Sequence, residues 1–288
     1  MIKRNDRPYI VQFPHPGGEH RPRGEHMDWN RGQHRRKFLK ATATYLDAGH
    51  VRRGPIAFWG EWEPQSQVVE AYPAGLPDGP RWLHEPWLKV PRHRRLLLNT
   101  DPLVFGDRFR YSNCRQARNA VLRRLPPGSV VLFGSALRGA FVLDTVFVVA
   151  RPGVDYLRGA PDHLAVPEWV RSVVFDPLRG TEDGGYEALR LYEGVRRADD
   201  PSAPYSFVPC RPYAPGGGAF ARPVIELDRR WLTPQLAMAA KATEATPDVV
   251  GAVWAAVVAQ VVAAGLCLGV ELDAPTGERP SRYEQLSS

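Results

Sequence analysis

The residues able to do chemistry crowd into the first sixty or so positions. The chain reads His15-Pro16-Gly17-Gly18-Glu19-His20, then His26, Trp29 and Asn30. It continues His34-Arg35-Arg36-Lys37, and later Phe58-Trp59-Gly60-Glu61-Trp62-Glu63. Five of the eight histidines and three of the eight tryptophans fall here, and residues 1–53 hold twelve Lys/Arg against five Asp/Glu. Cations, imidazoles and indoles in one segment point to an anionic ligand. With a helix expected to begin near Gln33, His34, Arg35, Arg36 and Lys37 are candidate phosphate contacts. Free backbone N–H groups at a helix start and arginine forks both suit phosphate oxygens. The competing reading is a solvated basic turn.

The histidines make no recognisable metal motif. H-E-x-x-H works by placing both imidazoles on one helix face, and Pro16, Gly17 and Gly18 forbid a helix there. A loop gathering His15, Glu19, His20 and His26 around a divalent ion is the lesser reading, so no metal and no cofactor are assigned. Pro14-His15-Pro16 is similar to the opening of the motif of zinc-dependent sugar deacetylases. Glycines stand where that motif needs two aspartates, which excludes it.

In Phe58–Glu63, strand alternation puts Phe58, Gly60 and Trp62 on one face and Trp59, Glu61 and Glu63 on the other. An indole beside carboxylates suits reading a base, so Trp59 and Trp62 are candidate stacking residues, joined by Tyr111. Glu61 is the candidate catalytic residue, as general acid or base. The alternative is a core aromatic strand with Glu61 paired to an arginine. Asn113 and the N–H groups after it form a further candidate anion site. Cys114 at a helix start would gain thiolate character, but no histidine is close in sequence to activate it, so a buried cysteine is favoured. Phe133-Gly134-Ser135 is not the G-x-S-x-G elbow, and no Walker or dinucleotide-binding loop is present.

These residues sit in a basic chain of 288 residues with formal net charge +7 and pI near 9.5. That balance favours nucleic acid or another phosphate-bearing partner. Cys114, Cys210 and Cys267 form no disulfide framework and no CxxC pair, which fits a reducing cytoplasm, and no signal peptide is evident. Val249–Leu268 is uncharged and about long enough to span a bilayer. Its Ala/Val composition, Gln260 and missing flanking anchors favour a helix buried on nearly all sides, with no membrane partner.

The elements follow from periodicity and turn residues. Strands are expected at Tyr9–Phe13, Ile56–Trp62, Ser66–Tyr72, Phe105–Tyr111, Ser129–Gly134, Ala140–Ala150, Tyr205–Pro209 and Val224–Leu227. Helices are expected at Gln33–Leu46, Cys114–Leu125 behind an Asn113 cap, near Pro167–Val174, at Thr233–Ala245 and at Pro247–Leu268. Gly75–Pro91 reads as loop, Arg94–Asn99 as a short apolar piece, and 151–204 as Pro/Gly-rich.

Gly106-Asp107-Arg108-Phe109-Arg110-Tyr111, a helix, then Ser129–Gly134 and Ala140–Ala150, is similar to the small barrels of the EVE, ASCH and PUA group. Phe58-Trp59-Gly60 resembles an element of bacterial and phage "nucleotide modification associated" domains. The resemblance covers about residues 56–150. It implies a pocket for a modified or flipped base framed by Phe58, Trp59 and Trp62, with Asp107 and Tyr111 on a barrel strand. The expected protein is α+β, a single domain over 1–288. It has a β-rich, partly closed PUA-like barrel at 56–150, flanking helices, a basic segment 1–55 and a helical part 230–270 ending in a buried helix. The expected function is binding nucleic acid or a nucleotide, reading a modified base in a bacterial defence or modification setting. The alternative is a hydrolase or transferase on a nucleotide-like substrate, using Glu61 or Asp107 with His15, His20 and His34. A third reading is an interaction protein joined through the apolar helix and Trp254. Oligomeric state is left open.

Overall fold

A computed structural model of the chain describes residues 7–22, 26–72, 77–90, 97–158, 160–179, 188–236 and 239–280. In chain order the strands are β1 (Tyr9–Pro14), β2 (His26–Met27), β3 (Lys37–Asp47), β4 (His50–Gly60), β5 (Ser66–Ala71), β6 (Trp82–Pro86) and β7 (Arg110–Tyr111). They continue as β8 (Val130–Leu137), β9 (Ala140–Val148), β10 (Val154–Leu157), β11 (Ala188–Glu193), β12 (Val208–Pro212), β13 (Lys241–Glu244) and β14 (Cys267–Leu272). Helix α1 (Glu168–Val170) runs on through a π turn at Arg171–Phe175, and α2 is Pro247–Ala263. The protein is β-rich with few helices.

The longest hairpin, β3–β4, pairs from Lys37↔Gly60 to Asp47↔His50. Its turn is Ala48-Gly49, both at positive φ (47° and 83°), which matches the twist of a two-residue hairpin. β8–β9 turns in the same way at Arg138-Gly139 (49° and 80°). β4 continues to β12, β12 to β14, and β14 returns to β3. Four strands therefore close into a ring. Its interior is tight: a Cβ on Gly269 would lie 2.9 Å from Val208 and 3.2 Å from Ile56. β6, β5 and β2 extend this sheet beyond β3. A second sheet runs β13-β1-β8-β9, with β1 and β8 parallel, and a third runs β10-β11-β7.

The central strands are buried on both faces. In β8, Val131 and Phe133 join one hydrophobic cluster with Phe13, Leu39, Phe58 and Tyr111, while Val130 and Leu132 join another with Leu143, Phe207 and Val257. This agrees with the uninterrupted apolar run of Ser129–Gly134.

Several expected elements are corrected. Gln33–Leu46 is not a helix, because Lys37–Asp47 is β3 with ladders to β4, β6 and β14. Thr233–Ala245 is not a helix; its end, β13, pairs with β1 as Tyr9↔Glu244 and Ile10↔Thr243, and 237–238 lie outside the described residues. Cys114–Leu125 holds one 3-10 turn, Gln116–Arg118, followed by turns, and Arg115 ahead of it is left-handed. Phe105–Tyr111 folds back on itself through Leu103–Arg110 pairing, with Gly106 at φ 95°, so only Arg110–Tyr111 is a strand. Gly75–Pro91 contains β6, and most of Arg94–Asn99 lies outside the described residues.

The C-terminal helix ends at Ala263, and Cys267–Leu272 is strand. Thr246 caps it, its side chain accepting the Val249 N–H, and Pro247 occupies the first turn, where its missing N–H costs nothing. Only one stripe is buried, Val250, Val253, Val257 and Val261, and Val262 is exposed. No helix among the described residues is long and apolar enough to cross a membrane. The core is also not confined to 56–150: β1, β3, β12, β14 and α2 all contribute to it, so residues 1–55 supply central strands.

Candidate functional site

Residue 36 is where the histidine loop meets the sheet. The Arg36 N–H donates to the Gly18 carbonyl (3.1 Å), and the His20 N–H donates to the Arg36 carbonyl (2.8 Å). Glu19, between them, accepts the backbone N–H groups of Arg81 (2.8 Å) and Trp82 (3.3 Å). The loop is thus held by backbone pairing, and this fixes Arg36 and Lys37 at the start of β3, both buried. Arg36 donates through Nη2 to Glu61 Oε2. Lys37 donates to the Trp62 carbonyl at 2.5 Å.

Glu61 and Glu63 leave the end of β4 on the same side, as strand alternation requires. His34 Nδ1 lies 3.2 Å from Glu61 Oε1 and 3.0 Å from Glu63 Oε1. Glu61 Oε1 also accepts the Asp101 N–H (3.0 Å), and Glu63 Oε2 accepts Asn30 Nδ2 (2.7 Å). The Glu63 N–H donates to Thr100 Oγ1 at 3.0 Å. Two buried carboxylates thus flank one imidazole, with a guanidinium behind them.

The electrostatics follow from this geometry. Burial opposes charge on His34, but the charges and hydrogen bonds of Glu61 and Glu63 outweigh it and raise the imidazole to about 10. Burial works against ionised Glu61 too, and Arg36 and His34 overcome it, holding the carboxyl far below the usual range. Lys37 is pulled down to about 8 by burial, against the opposing pull of Glu63 and Glu61. At neutral pH His34 is therefore an imidazolium. Its side chain is 28% exposed, whereas those of Glu61 and Glu63 are closed off.

A second layer backs the cluster. Arg222 donates to Ser135 Oγ (3.0 Å), Asp144 Oδ1 (3.4 Å) and the Gly17 carbonyl (2.6 Å), and lies over the Trp59 ring at 5.0 Å. Burial raises Asp144, with Arg222 and Arg36 opposing. His15 packs edge-on to Phe13 (5.0 Å) and stacked on Phe133 (5.4 Å). Burial, then the charge of Arg36, keep it neutral. Buried ion networks of this kind are weak devices for stability, because desolvation offsets most of the Coulomb gain. Their concentration at one place marks a functional candidate.

The chain matches no protein-family model, no curated protein and no solved structure.

The residues singled out from sequence divide sharply. His34, Arg36, Lys37 and Glu61 converge, and Arg35 is exposed beside them in the chain. Arg36 and Lys37 are enclosed and committed to Glu61 and Trp62, so they support the site from behind. Trp59 and Trp62 are core residues whose indole N–H groups donate to the carbonyls of Phe220 (2.9 Å) and Gln65 (2.8 Å). Tyr111 is fully buried and stacked on Tyr192 at 5.9 Å. In this arrangement none of the three rings offers a face to a base. Asn113 is part of a real anion nest, but the chain fills it itself. The Asp101 carboxylate accepts the N–H groups of Ser112 (2.9 Å), Asn113 (2.7 Å) and Cys114 (2.6 Å).

Asp107 is paired with Arg110 (2.8 Å) and Arg108 (3.4 Å), in a turn on a different element. Burial and the charge of Asp101 push the Cys114 thiol well up, so it is no nucleophile. His20 is lowered to about 4 by burial and by Lys37, and His50 is exposed at the β3–β4 turn. The side chain of His26 lies outside the described residues.

Sequence reasoning gave no role to Asn30, Asp101, Asp144 and Arg222. Asp144 carried a signal, a lone charge within the apolar run Ala140–Ala150. Arg222 carried none.

Ligand atoms of His34, Glu61 and Glu63 lie within 4.8 Å of one another. The geometry would admit a cation, but the His34 ring N–H already lies between the carboxylates and Arg36 neutralises one of them. A divalent ion would have to displace a proton held with a pKa of about 10. At pH 7 that costs about three decades of apparent affinity.

Proposed function

We propose that the chain binds a phosphate-bearing ligand, a nucleotide or a nucleic-acid backbone, through His34 and the exposed Arg35. The observation that carries this reading is the His34 imidazolium, held in place by Glu61 and Glu63 with part of its ring exposed. A fixed donor that is charged at neutral pH is a good phosphate contact because its orientation is set before the ligand arrives. Glu61, Glu63, Arg36 and Asn30 are then positioning groups. Arg31 and Arg35, close to His34 in the chain, are exposed and have no ion-pair partner among the described residues.

The kinship with base-reading small barrels belongs to the same proposal. The strands that carry the resemblance, β7, β8 and β9, lie outside the four-strand ring, and an aromatic frame would require Trp59 or Trp62 to leave the core. Catalysis is the second reading, and Glu61 is poorly suited to it: held far below the usual carboxyl range by Arg36 and His34, it is a weak base and has no proton to give near neutrality. Two buried groups are drawn toward neutrality: Asp101, raised to about 6 by burial despite three N–H donors, and Lys37, lowered to about 8.

The test is calorimetric titration of the full chain with a single-stranded oligonucleotide and with a nucleoside triphosphate, across a salt series. Binding should weaken with salt in proportion to the phosphates contacted. Both His34→Gln and Arg35→Ala should weaken it by about tenfold. Binding indifferent to salt and to both substitutions removes the proposal.

A further inference from the structure

We infer that a second anion site, independent of His34, lies in a cleft of about 430 Å³ lined by Ala120, Arg123, Arg124, Asp155, Ala188 and Arg190. The cleft sits between the turns following the Gln116–Arg118 3-10 turn and the β10–β11 edge. Its size is that of a small-molecule site.

Three features make it a built site. First, Arg190 is locked at every level. Its backbone N–H donates to Gln116 Oε1 and its carbonyl accepts Gln116 Nε2, both at 2.8 Å. Its stem lies over Gly153, where a Cβ would come within 2.2 Å of Arg190 Cγ. Its guanidinium forks onto Asp155 at 2.7 and 3.0 Å. Second, the walls carry three guanidinium groups and one carboxylate, so positive charge is in excess. Arg123 has no hydrogen-bond or ion-pair partner among the described residues, and Arg124 is engaged only through Nε, with the Ala120 carbonyl at 3.2 Å. Third, Ala120 and Ala188 give the lining short side chains, which leave room between the arginines.

An excess of about two positive charges, presented as planar forks on a partly fixed frame, fits a phosphomonoester dianion. Asp155 keeps Arg190 flat and in place. Arg123 and Arg124 supply the uncommitted donors that close on the phosphate. The shared chemistry is the terminal phosphate, which inorganic phosphate and a nucleoside monophosphate both present.

The experiment is calorimetry of the full chain with inorganic phosphate and with adenosine monophosphate. It compares the wild type, the double variant Arg123→Ala/Arg124→Ala, and His34→Gln. The expected result is a phosphate-binding event that falls about tenfold or more in the double variant and persists unchanged in His34→Gln, whatever that substitution removes at the His34 centre. Thermal melting of the double variant should match the wild type, since neither arginine supports the core. A gain in affinity for adenosine monophosphate over inorganic phosphate identifies a nucleotide site. Equal affinities identify a phosphate site alone. Either outcome sustains the inference. Absence of binding at millimolar phosphate, binding unaffected by the double substitution, or binding lost only in His34→Gln overturns it. The last result would locate all phosphate recognition at the His34 centre.

Discussion

Glu61 is the residue on which the buried cluster turns, because three partners of different kinds meet on its carboxylate. Replacing it by Gln keeps its shape and removes its charge. Arg36, closed off from solvent, then loses its only charged hydrogen-bond partner among the described residues. Uncompensated buried charges of this kind cost about 3–5 kcal/mol, so Glu61→Gln should lower the unfolding free energy by that order in urea titrations. An unchanged midpoint would mean that Arg36 is not buried as described.

His34 makes a pH prediction at the same scale. Its folded pKa lies above its unfolded value, so its stabilising contribution is complete below pH 6.5 and is lost as pH rises toward about 10. Lys37 acts in the opposite sense, since its folded value of about 8 lies below the ordinary lysine value. It favours the folded state increasingly above pH 8. His15 and His20, held low in the fold, act in the opposite sense as pH rises through 6.5, so His34 is isolated by the difference between wild type and His34→Gln. The stability advantage of the wild type over His34→Gln should shrink by up to about 1.4 kcal/mol per pH unit between pH 7 and 8. Cys114 gives a simpler check: its raised thiol should be alkylated far more slowly at pH 7 than a free thiol in the denatured chain.

At the scale of elements, the two hairpins hold the layers in register. Gly134 lies at the register shift between β8 and β9, and a Cβ there would come within 2.2 Å of the Val142 carbonyl and 2.5 Å of the Phe141 ring. Gly134→Ala should therefore destabilise the protein by about 1–3 kcal/mol or more through overpacking. Chemical denaturation measures this. An alanine tolerated without loss would show that the two strands separate there.

The same scale shows what the sequence could and could not say. Ser129–Gly134 and Ala140–Ala150 were legible because strands buried on both faces read as unbroken apolar runs. Phe38, Leu39, Ala43 and Leu46 fit helical spacing as well as they fit two opposite strand faces. The Asp47-Ala48-Gly49-His50 turn that decides between them is a weak signal, since Ala at positive φ is unusual. Thr233–Ala245 misled for a similar reason: β13 is an edge strand whose pairing with β1 is made more than two hundred residues away. Within the site, His34, Arg36, Lys37 and Glu61 could be named from residue type. That Arg36 and Lys37 face inward could not, because burial of a basic run depends on the two carboxylates that meet it. The indoles misled in the opposite direction, as aromatic rings beside charges are more often core than platform.

For the whole molecule, the positive charge has two destinations. Part is internal, balanced by Glu61, Glu63 and Asp144. Part is outward, at Arg31 and Arg35 beside His34 and at Arg123 and Arg124 in the cleft. Salt should therefore weaken anion binding while leaving the melting temperature little changed, since screening acts on exposed charges and scarcely on buried ones. Parallel salt series of ligand binding and thermal melting check this. In the proposed function the fold keeps His34 charged in order to hold a phosphate. Ring-nitrogen NMR of His34, followed from pH 6 to 10 with and without a single-stranded oligonucleotide, tests it most directly. The expected result is an imidazolium that persists past pH 8 and a ring resonance that shifts on ligand addition. A His34 that titrates near 6.5, or one indifferent to the oligonucleotide, would contradict it.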